Sequence, residues 1–195
     1  MYRPVLVTAL AAVLLVGGVA GCSDSDSETS SSTTRTAPLD RIFAEPYPAG
    51  TQPPTVTYDT TVVPVGAKAG LDIRTDDDST TVKLRVEGLV PGRMYGAHVH
   101  TKPCGAKPAD SGPHYQDNKD PITPSTDPAY ANPRNEIWLD FTTDSQGAAT
   151  AEATVDWKFR PAEANSVVIH QMQTATNPGK AGTAGDRIAC TVYKF

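Results

Sequence analysis

The stretch "TTVKLRVEGL", residues 80 to 89, sets Val82, Leu84 and Val86 against Lys83, Arg85 and Glu87. An apolar residue at every second position gives an extended strand one dry face and one wet face, a pattern that makes no single stripe on a helix. "AATAEATVDW" (148 to 157) follows the same rule, with Ala151, Ala153 and Val155 opposed to Glu152, Thr154 and Asp156. Further segments at 55 to 64, 69 to 75, 93 to 101, 136 to 143, 165 to 172 and 187 to 195 are rich in Val, Thr, Ile and aromatic residues, and Gly, Pro, Asp or Asn separate them. Nowhere does a segment of helical length carry a 3.6-residue apolar stripe. About eight strands with hairpin-like links predict an all-β fold, an antiparallel sandwich or barrel.

The chain begins "MYRPVLVTALAAVLLVGGVAGC", with Arg3, an apolar run from Val5 to Ala20, and small residues leading to Cys22. That layout predicts a secretory signal peptide over 1 to 21. The run is short of the roughly 20 apolar residues that a membrane span needs, and Gly17 and Gly18 interrupt it. "VAGC" resembles a bacterial lipobox, in which the chain is cut before the cysteine and its sulfur is lipidated. The expected mature protein is therefore exported and held by Cys22 on the outer side of the cytoplasmic membrane. Residues 22 to 54 read as a disordered tether, because "SDSDSETSSSTTR" offers nothing to bury and a Pro-rich approach follows. Phe43 and Tyr47 are its candidate docking points. The domain then spans 55 to 195, roughly 140 residues, a common size for a single core.

With 17 Lys plus Arg against 22 Asp plus Glu, the chain is net negative. Composition thus gives no electrostatic case for a nucleic-acid partner. Beyond Cys22 only Cys104 and Cys190 remain, and an even pair in an exported chain is expected to form a disulfide.

Two connections are long: 102 to 135, rich in Pro, Asp and Asn, and the Gly-rich 173 to 186. Long loops inside a compact domain are usually functional. The chain's four histidines gather around them, at His98, His100, His114 and His170. His98 and His100 are two apart on an expected strand and leave the same face; alone, that pair fits a solvated face as well as a metal site. With His114 in "GPHYQ" and His170 in "SVVIH", the set reads as one nitrogen-rich site. Imidazole suits several transition metals, and affinity along the first row peaks at Cu(II), so copper is the expected ion. "DPAYANPRNEIWLDF" (127 to 141), with Tyr130, Arg134 and Trp138, reads as loop and strand packing.

"GAHVH", "GPHYQ", "SVVIH" and "GTAGDRIAC" stand in the order found in the copper,zinc superoxide dismutase family, and the chain resembles that family from Gly96 to Tyr193. The resemblance implies a Greek-key β-sandwich of eight strands. It implies that His98, His100 and His170 are copper ligands, that His114 is the histidine bridging copper and zinc, and that Cys104 and Cys190 are the intrachain disulfide. Arg187 matches the arginine that guides superoxide to copper. The reaction implied is conversion of superoxide to oxygen and hydrogen peroxide, with His114 delivering a proton. Thr183 and Tyr193 depart from the family's usual Asn and smaller aliphatic residue.

A larger departure is that no histidine lies between His114 and His170, where the family places two further zinc-binding histidines and an aspartate. An oxygen site made from Asp117, Asp120, Glu136 or Asp140 with His114 would lack the nitrogen and sulfur ligands that structural zinc favours. The reading is a copper-only branch without zinc. A carboxylate must then orient His114, with Glu136 the first candidate and Asp117 the second. Two other classes compete: a copper-binding or copper-delivery lipoprotein on the same fold, and a metal-free structural lipoprotein whose histidines need not converge. Arg187 favours the enzyme, because copper storage needs no cation beside the metal.

Overall fold

The computed structural model describes residues 31–48 and 50–195; the signal-peptide and Cys22 expectations lie outside them. Nine strands are present among the described residues: β1 (Thr33–Ile42), β2 (Thr55–Thr57), β3 (Lys68–Thr75), β4 (Thr80–Glu87), β5 (Met94–His100), β6 (Phe141–Thr142), β7 (Ala149–Val155), β8 (Ser166–His170) and β9 (Arg187–Val192). A single 3-10 turn covers Pro108–Ser111. One sheet runs β1-β3-β4-β7 and the other β2-β9-β8-β5-β6. Between the neighbours β4 and β7 the chain visits the opposite sheet to make β5 and β6, and this crossing is the Greek-key feature of the sandwich.

The core follows from the alternation. Val82, Leu84 and Val86 of β4 are buried, as are Leu71 and Ile73 of β3, and they face Tyr95, Ala97 and Val99 of β5 and Val167 and Ile169 of β8. The outward residues of β4 meet water or pair across strands, as Lys83 does with Glu152 at 2.8 Å. β5 differs from β4, since six of its seven residues are buried and only Met94 is exposed. Its outer face, carrying Gly96, His98 and His100, is covered by the two long connections. That covered face is where the site lies.

Three expected elements change. Within the expected tether of 22 to 54, Thr33–Ile42 pairs antiparallel with β3 as an edge strand. Few of its residues are apolar, so backbone pairing rather than a buried face holds it. Phe43 is fully buried in the core, whereas Tyr47 stays exposed. The expected strand at 55 to 64 stops at Thr57, because Val62 and Val63 turn back to the Asp59 carbonyl and Thr61 bonds the Asp59 carboxylate, a side-chain-stabilised turn. Of 136 to 143 only Phe141 and Thr142 join the ladder; Trp138 makes an isolated bridge to His98.

Candidate metal centre

His98 and His100 leave the outer face of β5, and His170 lies opposite Gly96 on β8. A side chain at position 96 would come within 2.5 Å of the Met172 carbonyl and 2.8 Å of Ala184, so Gly96 lets the loop after β8 fold over the histidines. His114 comes from the 102 to 135 connection. Its neighbourhood runs beside β5, with Thr101 N donating to Pro113 O at 3.0 Å and Tyr115 N to Val99 O at 2.8 Å. Local backbone pairing therefore puts His114 opposite His100. The four rings pack against each other, His98 to His114 at 4.1 Å and His100 to His114 at 4.7 Å between centroids. One potential ligand atom from each imidazole lies within 4.8 Å of the others.

The protons on these rings follow from their partners. His100 Nδ1 faces the Gly112 carbonyl at 2.9 Å and His170 Nδ1 faces the Gly185 carbonyl at 3.4 Å. A carbonyl only accepts, so both Nδ1 atoms carry the proton and both Nε2 atoms are bare lone pairs. Those two Nε2 atoms lie 3.3 Å apart. Two lone pairs cannot satisfy each other at that distance, and a cation between the rings would satisfy both. His98 Nδ1 is likewise buried, with no partner among the described residues. Burial, and then repulsion from the neighbouring imidazoles, holds His98 and His100 well below the ordinary histidine range. His170 is pushed down to about 3, first by burial and then by His114. All three are neutral at pH 7, the state in which imidazole binds metals. The donor set fits copper.

His114 is the one part-exposed member, with 17% of its side chain reached by solvent, and its Nδ1 donates to Glu136 Oε2 at 2.9 Å. Glu136 is buried and also accepts from Trp138 Nε1 at 2.7 Å and Gln116 Nε2 at 2.8 Å. Asp117, the second candidate for orienting His114, is elsewhere: its carboxylate faces Arg160 at 3.6 Å and its amide bonds Asn135. Asp120 is occupied by Ser125 and Ile122. Asp140 sits on the opposite side of the cluster, against Thr174. Of the four acids only Glu136 bonds His114, and the Trp138 indole donates to the same carboxylate oxygen.

Cys104 and Cys190 are joined as a disulfide, tying the long connection to β9. A bulge at the end of β8 brings Arg187 opposite His170. Arg187 Nη1 donates to Pro108 O at 3.2 Å and Ser111 Oγ at 3.0 Å; among the described residues no carboxylate pairs with it. Its charge is thus directed by two neutral groups. A cleft of about 640 Å³ opens onto His114 and His170, with Arg187, Lys119 and Arg160 at its border. Trp138, Gln116, Thr174 and Asp140 were not expected in these roles. Their residue types are common, and only the spacing of Trp138 from Glu136 hinted at a shared face.

A two-sheet Greek-key sandwich with four converging imidazoles on the covered face of one sheet defines a metalloprotein of transition-metal type. A family model for copper/zinc superoxide dismutase (SODC) matches residues 68–193, and the chain belongs to that family. Among solved structures, the Cu/Zn superoxide dismutase from Brucella abortus is similar at 19% identity and a TM-score of 0.51, covering 83% of this chain and 99% of that one. That likeness concerns the fold. A double mutant of a SOD-like protein from Bacillus subtilis matches at 17% identity and a TM-score of 0.49, over 65% of this chain and 89% of that one.

Proposed function

We propose that this chain is an exported, membrane-anchored superoxide dismutase that works with copper and without zinc, converting two superoxide anions and two protons to oxygen and hydrogen peroxide. The observation that carries the enzyme reading is Arg187, a cation without a carboxylate partner among the described residues, directly opposite the copper-ligand candidate His170. The anchor reading rests on "VAGC" and Cys22 in the sequence. The copper-only reading is supported at His114, where Glu136 accepts from the ring nitrogen that a bridging histidine would give to zinc.

His98, His100, His114 and His170 would hold the metal, and copper when bound supplies a one-electron change between Cu(II) and Cu(I). The chain's own groups do the rest. Arg187 attracts the anion into a cleft of a protein whose net charge would otherwise repel it. His100 and His170 are locked by the Gly112 and Gly185 carbonyls, so they hold position throughout. His114 is different, because it sits at the cleft, is part exposed, and has Nδ1 tied to Glu136. It is the ring able to take a proton from water at Nε2 and hand it to the reduced anion, while Glu136 steadies the imidazolium.

The test is metal analysis and a dismutation assay on the purified full chain and on Arg187→Ala. The reading expects one copper per chain, no zinc, and a rate that falls about ten-fold in the variant along with most of its salt dependence. Bound copper without turnover would instead favour copper binding or delivery, and stoichiometric zinc would overturn the copper-only assignment. Replacing Cys22 by Ser should release the protein from membranes.

A further inference from the structure

Behind His98 lies a pair of polar groups, Thr174 and Asp140, that take no part in the proposed reaction. Thr174 Oγ1 lies 2.7 Å from His98 Nε2 and 2.6 Å from Asp140 Oδ1. A hydroxyl has one proton to give, and a carboxylate only accepts. Thr174 therefore donates to Asp140 and must accept from His98 Nε2–H. Since a neutral imidazole has one N–H, Nδ1 is left bare, and Nδ1 is buried with no hydrogen-bond partner among the described residues. His98 is thus held the opposite way to His100, His170 and His114, whose Nδ1 atoms carry the proton.

We propose that Thr174 and Asp140 are a positioning pair that fixes His98 as its Nε2–H tautomer and presents Nδ1 to the metal, so that copper retention depends on one hydroxyl in the loop after β8. The inference rests on the four-histidine cluster being a copper site. Asp140 is itself held by three donors: Thr174 N at 2.7 Å, Thr174 Oγ1 at 2.6 Å and Ala97 N at 3.3 Å. Ala97 immediately precedes His98, so the carboxylate braces the strand and the loop on either side of the ring. The carboxylate is 4.0 Å from His98 Nε2, too far for a direct hydrogen bond, and its influence runs through the hydroxyl. The close approach of Thr174 depends on Gly96, where a Cβ would lie 3.4 Å from Thr174 Oγ1 and would collide with the Met172 carbonyl.

The test combines two readouts on the full chain. Nitrogen-15 NMR of the metal-free protein reads the His98 tautomer directly, and competition with a chelator reads copper affinity. Wild type and Thr174→Ser should both carry the His98 proton on Nε2 and bind copper within about three-fold of each other, whereas near-isosteric Thr174→Val should lose the fixed tautomer and roughly 10- to 100-fold in affinity. Asp140→Asn should move in the same direction, and the double variant should be little worse than Thr174→Val, because both residues act along one path. Asp140→Asn also carries the test if Thr174→Val fails to fold, as judged by circular dichroism. A wild-type His98 protonated on Nδ1, or a folded Thr174→Val with tautomer and affinity unchanged, would overturn the proposal. A wild-type chain with the expected tautomer that takes up no copper would refute the copper reading and leave the tautomer assignment standing.

Discussion

Acidifying the copper-free chain from pH 7 to pH 5 should destabilise it through its buried histidines. His170 has a pKa of about 3 in the folded chain against 6.5 as its ordinary value. A base whose pKa is lowered by folding binds fewer protons in the folded state than in the unfolded one. Its stabilising contribution is complete above the unfolded value and is lost as pH falls from there toward the folded value. Between pH 7 and pH 5 the unfolded chain takes up about three-quarters of a proton at this site and the folded chain almost none, a loss of about 2 kcal/mol. His98 and His100 are driven in the same direction by burial, so they add to that loss. Asp59, Asp72 and Glu163 have lowered pKa values, so they lose their stabilisation only below the ordinary carboxylate range, beneath this window. The assay is urea unfolding in the presence of a chelator, followed by the fluorescence of Trp138 and Trp157. An unfolding free energy that is unchanged or higher at pH 5 would refute the reasoning, since it would mean that the folded pocket takes up protons as readily as the open chain.

Glu136→Gln replaces an acceptor of three hydrogen bonds with a group that must turn one N–H toward a donor; copper affinity should fall roughly 10- to 100-fold by chelator competition. Replacing Cys104 and Cys190 by Ser removes a cross-link between residues separated by 86 in sequence, which should cost about 4 kcal/mol in urea unfolding. Because Arg187 is held by Pro108 and Ser111 of the same connection, the dismutation rate of that variant should also fall under conditions where it remains folded. Leu84→Ala, a truncation in the shared core, should destabilise by about 2–5 kcal/mol and leave the copper stoichiometry unchanged, measured by unfolding and metal analysis.

Some features were legible in the residues because one strand decides them. The alternation in β4 fixes which face is dry whatever its neighbours, and His98 and His100 must share a face once β5 is extended. Four histidines in the whole chain also made their convergence a compact expectation. β1 was not legible: Thr33–Ile42 has few apolar residues, and the free backbone edge of β3 recruits it. Asp59 ended the expected first strand because its side chain competes for the local amides, a preference that the Val and Thr residues around it concealed.

The sequence by itself determined the strand-rich character, the ligand types, the candidate cysteine pair and the absence of further histidines after His114 other than His170. Tertiary structure decided what each ring does. Glu136 rather than Asp117 bonds His114, and Thr174 with Asp140 sets the tautomer of His98, a partner 76 residues away in sequence. Such assignments depend on which side chains two separate loops bring to one face of a sheet. Their physical source is the packing that shields the outer face of β5 from water, which forces every buried nitrogen there to find either a hydrogen-bond partner or a metal.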